Sequence, residues 1–269
     1  MVLGDGAMGT TLRQRAGDPA LVPDDTVESN PSEVSRVHSD FRSAGAEWLK
    51  THTFGALFNP RRLSQGRSAR RASVLLCVEL ARSAAHGAFV LGTLGPVGPE
   101  APELWSSRYG ELVDDLLEAG VDGWIIETAT RIAAAEAAVR EAARSGLVVI
   151  ASFSPDAEGR ALDGTSAVEA LSRFRDAGAD VVGVNCGANS GACIRSLEGC
   201  NCPRDVPLFA APAASFPAAG STNSAQAPHP PDVFIEEAIQ LRDVGVRALA
   251  GCCGASPDHI AALRRRLSF

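Results

Sequence analysis

The chain has 269 residues and a formal net charge of −7, with 45% hydrophobic and 21% charged side chains. That balance belongs to a folded globular protein and excludes disordered and collagen-like chains. The acidic charge weighs against nucleic-acid binding, and no run approaches the roughly 20 apolar residues of a membrane span. The first residues, MVLGDGAMGT, lack a basic region ahead of an apolar stretch, so the expected location is the cytoplasm, with no membrane partner. Seven cysteines are an odd set in a chain large enough to be held by its core, so a disulfide framework is not expected and the thiols need another explanation.

Short runs rich in Val, Ile and Leu alternate with longer amphipathic segments. In chain order, strand Val2–Gly4 leads to a helix over Pro31–Ala44, strand Glu47–Lys50 to one over Ser73–His86, and strand Phe89–Leu91 to one over Ser107–Ala119. Trp124–Ile126 leads to Ile132–Arg144, and Val148–Ala151 to Ser166–Ala177; Val181–Val184 follows. Leu208–Ala210 leads to Phe234–Asp243, and Ala248–Ala250 to Pro257–Leu267. Apolar residues in the helical segments recur every three or four positions, as in helices that cover a sheet. Gly45, Gly120, Gly178 and Gly245 stand between a helix and the next strand, where a left-handed cap is expected. The Ala/Pro/Ser-rich stretch Ala210–Pro231 reads as a long loop within one domain. Eight strands at about one βα unit each predict a (β/α)₈ barrel over 1–269. A doubly wound open sheet is the runner-up, but Gly4, Gly6 and Gly9 make a poor dinucleotide fingerprint.

In such a barrel the working residues sit just past the C-terminal ends of the strands. Those positions hold Asp5, Thr51 to Thr53, Glu127, Cys186, Cys252 and Cys253. Any one cysteine is more simply a small buried hydrophobe. Three on one rim match the ligand count of a catalytic zinc, which takes three protein ligands and keeps a position open. Gly251 and Gly254 give the backbone freedom to turn both adjacent sulfurs to one point, and a strained vicinal disulfide is the other option. A metal-organised site of this kind would bind a substrate thiol as thiolate. Asp5 and Glu127 would then suit an ammonium-bearing substrate; the plainer readings are an Asp-Gly turn and a carboxylate at a helix N-terminus.

The motifs Leu3-Gly-Asp-Gly-Ala-Met-Gly-Thr10, Thr51-His-Thr-Phe-Gly55, Gly92-Thr-Leu-Gly-Pro96, Glu127-Thr128, Gly183-Val-Asn-Cys-Gly187 and Gly251-Cys-Cys-Gly-Ala-Ser-Pro-Asp258 occur in that order. Together they resemble the homocysteine S-methyltransferases. Asn30-Pro-Ser-Glu-Val, Val37-His38 and Ala44-Gly-Ala46 are similar to the homocysteine-binding module of cobalamin-dependent methionine synthase. The resemblance covers essentially the whole chain. It implies a (β/α)₈ barrel in which Cys186, Cys252 and Cys253 hold a catalytic zinc and homocysteine binds through its sulfur. Asp5 and Glu127 would lie near the amino group, with Thr51 and the backbone around Gly6 near the rest of the amino acid. Methyl transfer would give methionine. The length leaves little for a donor domain, so the expected donor is a methylated corrinoid on a separate protein or a small molecule such as S-methylmethionine.

Two positions depart from the family pattern. His52 replaces a usual asparagine, and Ala213 replaces an asparagine beside the metal, which puts the fourth ligand in doubt. His52 reads as a loop residue in preference to a substitute ligand. Alternatives to the methyltransferase are a zinc-holding, non-catalytic relative that binds a thiol metabolite or a protein, and a methyltransferase for another thiol or selenol. Cys193, Cys200 and Cys202 do not match a zinc spacing and are expected around the sixth helix, while Cys77 is expected in the core.

Overall fold

Among the described residues, eight parallel strands follow one another in the order β1, β8, β7, β6, β5, β4, β3, β2. A parallel bridge from Gly4 to Trp48 joins the two ends of that series, so the sheet closes into a barrel. The computed structural model describes residues 1–64, 66–189, 191–198, 205–216 and 228–267. The strands are β1 (Val2–Leu3), β2 (Trp48–Lys50), β3 (Phe89–Leu94), β4 (Gly123–Ala129), β5 (Val148–Phe153), β6 (Val181–Cys186), β7 (Leu208–Pro212) and β8 (Val246–Leu249). Helices separate each strand from the next: α1 (Met8–Ala16), α2 (Thr26–Ser29) and α3 (Pro31–Ser43), then α4 (Pro60–Ser64) and α5 (Gly66–Ala85). They continue with α6 (Trp105–Glu118), α7 (Ile132–Ala143), α8 (Ala167–Ala177), α9 (Ala192–Leu197), α10 (Pro231–Asp243) and α11 (Pro257–Arg266). This is the (β/α)₈ barrel, and the closing bridge excludes the open sheet. No helix among the described residues is long and apolar enough to cross a membrane.

Local chemistry sets the helix limits. Asn30 and Ser166 accept from the amides of Glu33 and Glu169 at the starts of α3 and α8, satisfying donors that a helix N-terminus leaves free. Ser256 and His259 form a reciprocal capping box at the start of α11, behind Pro257. The junction glycines Gly45, Gly120, Gly178 and Gly245 all have positive φ, between 86° and 111°, as expected of left-handed caps.

Strand alternation divides the apolar residues into two layers. Outward-facing residues such as Val90, Trp124, Val149, Val182 and Leu249 pack under the helices in one large core. Inward-facing Trp48, Leu91, Ile125, Ile150, Phe209, Ala211, Ala248 and Ala250 fill the barrel axis. Two residues further along the strands, the inward positions turn polar: Lys50, Thr93, Glu127, Ser152, Asn185 and Cys252. The apolar plug is therefore the floor of a polar chamber at the C-terminal mouth.

This polar layer accounts for most boundary differences. β3, β4, β5 and β6 run two or three residues beyond their apolar runs, because the pairing continues through the polar positions, and β7 runs two residues further through Ala211 and Pro212. Ala210 ends the expected strand, Ala211 and Pro212 extend β7 into the stretch expected as a long loop, and residues 217–227 of that stretch lie outside the described residues. β8 starts earlier than expected, at Val246. Helices α1, α2, α4 and α9 carry too little apolar repeat to be read from sequence.

Candidate active site

Cys186 ends β6, while Cys252 and Cys253 follow β8, and their three sulfurs lie within 4.8 Å of one another. Because Asn185 faces inward, strand alternation alone would point Cys186 at the helices. Its φ of +63°, a left-handed conformation unusual outside glycine, turns the chain so that Cys186 Sγ comes 3.5 Å from Cys253 Sγ. On the other side, Cys252 continues the inward row of Ala248 and Ala250. Backbone amides of Ala214 and Ser215 donate to Cys253 O at 2.8 and 3.0 Å, and Ala255 N donates to Cys252 O at 3.0 Å, which folds the pair into a tight turn. Gly254 completes it with φ +81°.

The sulfurs compete for protons. Hydrogen bonds with Cys186 and Cys252 hold the Cys253 thiol well below its ordinary pKa, while hydrogen bonds with Cys252 and Cys253, together with burial, push Cys186 up. Three thiolates this close repel one another, and a divalent cation among them removes that repulsion. The donor set therefore fits a soft tetrahedral metal with one position left open.

Asn185 is fully buried and spends its whole amide on this arrangement. Its Oδ1 accepts from Thr128 N and Ser152 Oγ, both at 2.8 Å, while Nδ2 donates to Thr128 Oγ1 at 2.8 Å and points at Cys252 Sγ, 3.7 Å away. Thr128 itself has φ +59°, at the point where β4 shifts register against β5. Replacing Asn185 by Ala leaves the Thr128 amide without its acceptor, takes away the donor to the Thr128 hydroxyl and frees the Cys252 side chain. Metal affinity is expected to fall by about 10–100-fold with the helices intact, which a competitive chelator titration beside circular dichroism measures.

Beside the thiols lies a charged trio. Lys50 Nζ is 3.2 Å from Glu127 Oε2, 3.4 Å from Gly251 O and 3.9 Å from Asp5 Oδ1. Asp5 Oδ2 accepts from Lys50 N at 2.9 Å, and Asp5 Oδ1 is buried without a hydrogen-bond partner. Burial raises the Asp5 carboxyl to about 7 against the pull of Lys50, and burial likewise raises Glu127. Burial opposes the Lys50 charge, but Glu127 and Asp5 outweigh it, so Lys50 stays an ammonium.

Of the residues that the sequence nominates, the structure gathers Asp5, Glu127, Cys186, Cys252 and Cys253 in one mouth. Glu127 sits within β4 and not at a helix start, and Asp5 is tied to β2 by a partly buried hydrogen bond. The Thr51 hydroxyl accepts from Thr93 N at 2.9 Å and pairs with Thr53 Oγ1 at 2.7 Å, so it fastens β2 to β3. Gly6 lies in close backbone contact with the last loop, where a Cβ would stand 2.3 Å from Ala255 O. His52 turns away from the thiols: its Nε2 meets Pro23 O at 2.9 Å, and burial holds its pKa down. Ala213 is buried just after β7 and offers no ligand atom. Cys77 is buried in the core with Sγ on His52 O, and Cys193 is buried with Sγ on Cys186 O; Cys200 and Cys202 lie outside the described residues. Sequence reasoning missed the roles of Asn185 and Lys50, although both occupy inward positions two residues beyond an inward-facing neighbour.

The homocysteine S-methyltransferase family model matches residues 2–267. The chain belongs to the homocysteine S-methyltransferase family. Its similarity to other proteins runs along nearly its full length. It is 28% identical over 296 residues to the methionine synthase of Mycobacterium leprae (strain TN), which covers 97% of this chain but 24% of that protein. It is also 28% identical over 302 residues to betaine–homocysteine S-methyltransferase 1 of Xenopus laevis, covering 100% of this chain and 73% of that one. The chain thus spans about a quarter of the mycobacterial relatives' length. Among solved structures, the metallated form of the homocysteine methyltransferase MmuM from Escherichia coli shares the fold, with a TM-score of 0.80 at 24% identity over 99% of this chain and 96% of that one.

Proposed function

We propose that this chain methylates the thiol of homocysteine to give methionine, at zinc held by Cys186, Cys252 and Cys253. The observation that carries the reading is the convergence of three thiols from two strand ends, one of them turned there by a left-handed backbone. Zinc, when bound, supplies a Lewis acid that favours the deprotonated form of an incoming thiol. The chain's own residues do the rest. Asn185 fixes the direction of Cys252, and the Trp48 and Phe209 floor closes the barrel below the site, so the thiol is approached from the mouth alone. The Asp5, Glu127 and Lys50 trio receives the charged end of the amino acid, which aims the sulfur outward toward the methyl donor. In the transfer the sulfur's electron pair forms the S–CH₃ bond. The bond from the methyl carbon to the donor breaks with its pair leaving on the donor, and the thiol proton goes to water.

The donor is a methylated corrinoid carried by a separate protein, or a small sulfonium such as S-methylmethionine. Similarity to methionine synthases supports the first and similarity to the S-methylmethionine–homocysteine S-methyltransferase BHMT2 of Mus musculus the second. The test is to purify the protein without oxygen, load it with zinc, and follow methionine formed from homocysteine with methylcobalamin, S-methylmethionine or betaine. Methionine is expected with at least one donor. Bound zinc with no methionine from any of them would favour the thiol-binding, non-catalytic relative.

A further inference from the structure

His259 is buried at the start of α11, the helix that follows the Cys252–Cys253 turn. Its two ring nitrogens hold different parts of the chain. Nδ1 accepts from Ser256 N at 3.2 Å and from Ser256 Oγ at 2.9 Å, while Nε2 meets His229 O at 2.8 Å. A carbonyl can only accept, so Nε2 carries the proton and the ring is fixed as one tautomer. Capping of the helix accounts for Nδ1 alone. His229 stands between Pro228 and Pro230, which have no backbone N–H, so its own amide is the one donor they leave there. That amide donates to Ala214 O at 2.6 Å, and Pro230 restricts His229 to extended backbone. The Pro-His-Pro run is thus a stiff strut with Ala214 at one side and His259 at the other. Ala214 belongs to the stretch after β7 that grips the thiol-bearing turn: Cys252 N donates to Pro212 O at 2.9 Å, and Ala214 N and Ser215 N donate to Cys253 O. From Cys253 the chain runs through Gly254 and Ala255 to Ser256 and so back to His259, which closes a circuit. Every hydrogen bond in that circuit joins backbone to backbone except those made by the His259 ring.

We infer that His259 is a positioning residue for the metal centre, tying the stretch after β7 to the start of α11 so that the Cys253 turn is held from both sides. This rests on the reading that Cys253 is a metal ligand. An imidazole suits the task because its acceptor and its donor sit on opposite sides of one rigid ring, and Phe234 packs edge-on against that ring with centroids 5.4 Å apart. With the link to His229 broken, Ala214 and Ser215 keep their bonds to Cys253 O but lose the anchor behind them, and the sulfur's place is set less narrowly.

The test measures zinc affinity by chelator competition in His259→Glu, His259→Gln and Ser256→Ala. Glutamate keeps the capping acceptor, as in a Ser-x-x-Glu box, but has no donor for His229 O; glutamine has both. His259→Glu is expected to bind zinc about tenfold more weakly, the lower end of the loss for a residue behind a ligand, although its added negative charge would by itself favour the cation. His259→Gln should stay within roughly threefold of wild type. Ser256→Ala weakens the cap and leaves the strut in place, so its melting temperature should fall with zinc affinity unchanged. In the wild-type chain the coupling is reciprocal, so zinc should slow hydrogen exchange at the His229 amide by a comparable factor. Zinc affinity unchanged in His259→Glu, or lowered as far in His259→Gln or Ser256→Ala, would overturn the inference. So would exchange at His229 that zinc leaves unaltered, a result readable even where a variant does not fold. A wild-type chain that binds no zinc would overturn the metal reading itself.

Discussion

Cys252→Ala is expected to abolish zinc binding and to lower methionine formation by well over the about hundredfold cost of losing a residue that only orients a ligand. Cys252 is the sulfur toward which Asn185 points, and it carries the inward row of β8 into the mouth. Removing it leaves Cys186 and Cys253, two sulfurs 3.5 Å apart, which are too few to close a tetrahedral site. The fold should survive, because alanine fits the space and the turn is held by backbone bonds from Ala255 to Cys252 and from Ala214 to Cys253. Zinc per chain and far-ultraviolet circular dichroism, measured on one preparation, separate loss of the site from loss of the protein. Full zinc occupancy in the variant would contradict the assignment of this ligand.

Gly183→Ala carries the second large effect, and it acts through the barrel wall. A Cβ at Gly183 would sit 1.9 Å from Phe209 O and 2.6 Å from its carbonyl carbon, both backbone atoms of the neighbouring strand β7. No side chain can move aside to relieve that contact, so β6 must part from β7. The expected cost is about 3 kcal/mol, or roughly a 6–12 °C loss in melting temperature for a domain of this size. Because Gly183 lies three residues before Cys186 on the same strand, the displacement should also weaken zinc binding. Gly87→Ala is the control. That glycine has φ +86° with open space around its Cβ position, so only the torsional cost of about 1 kcal/mol is expected, with zinc binding unchanged. Equal melting losses in the two variants would show that the close β6–β7 approach is not what the glycine protects.

The barrel was legible in the sequence because its signals repeat. Each apolar run ends a helix-to-strand junction of similar chemistry, and Gly45, Gly120, Gly178 and Gly245 mark four of them. Strand ends were read too short because the inward row changes from apolar to polar at Thr93, Glu127, Ser152 and Asn185, where hydropathy stops reporting on a strand that continues. The thiols could be named from their place beyond strands six and eight. How Cys186 reaches the others could not, since its left-handed backbone is a property of the folded turn. Asn185 shows the same limit: its partners Thr128 and Cys252 are 57 and 67 residues away, and only the closed barrel brings them together. Lys50 was within reach, because alternation from Trp48 places it inside. The resemblance placed Thr51 beside the substrate, and in the structure its hydroxyl bonds Thr93 N and Thr53 Oγ1.

The most direct test of the central claim is X-ray absorption at the zinc edge of the loaded protein, before and after homocysteine is added. Three sulfur neighbours at about 2.3 Å, rising to four with homocysteine, is the predicted result. A spectrum without three sulfurs, or one that homocysteine leaves unchanged, would contradict the assignment of Cys186, Cys252 and Cys253 as the site at which the acceptor thiol is held.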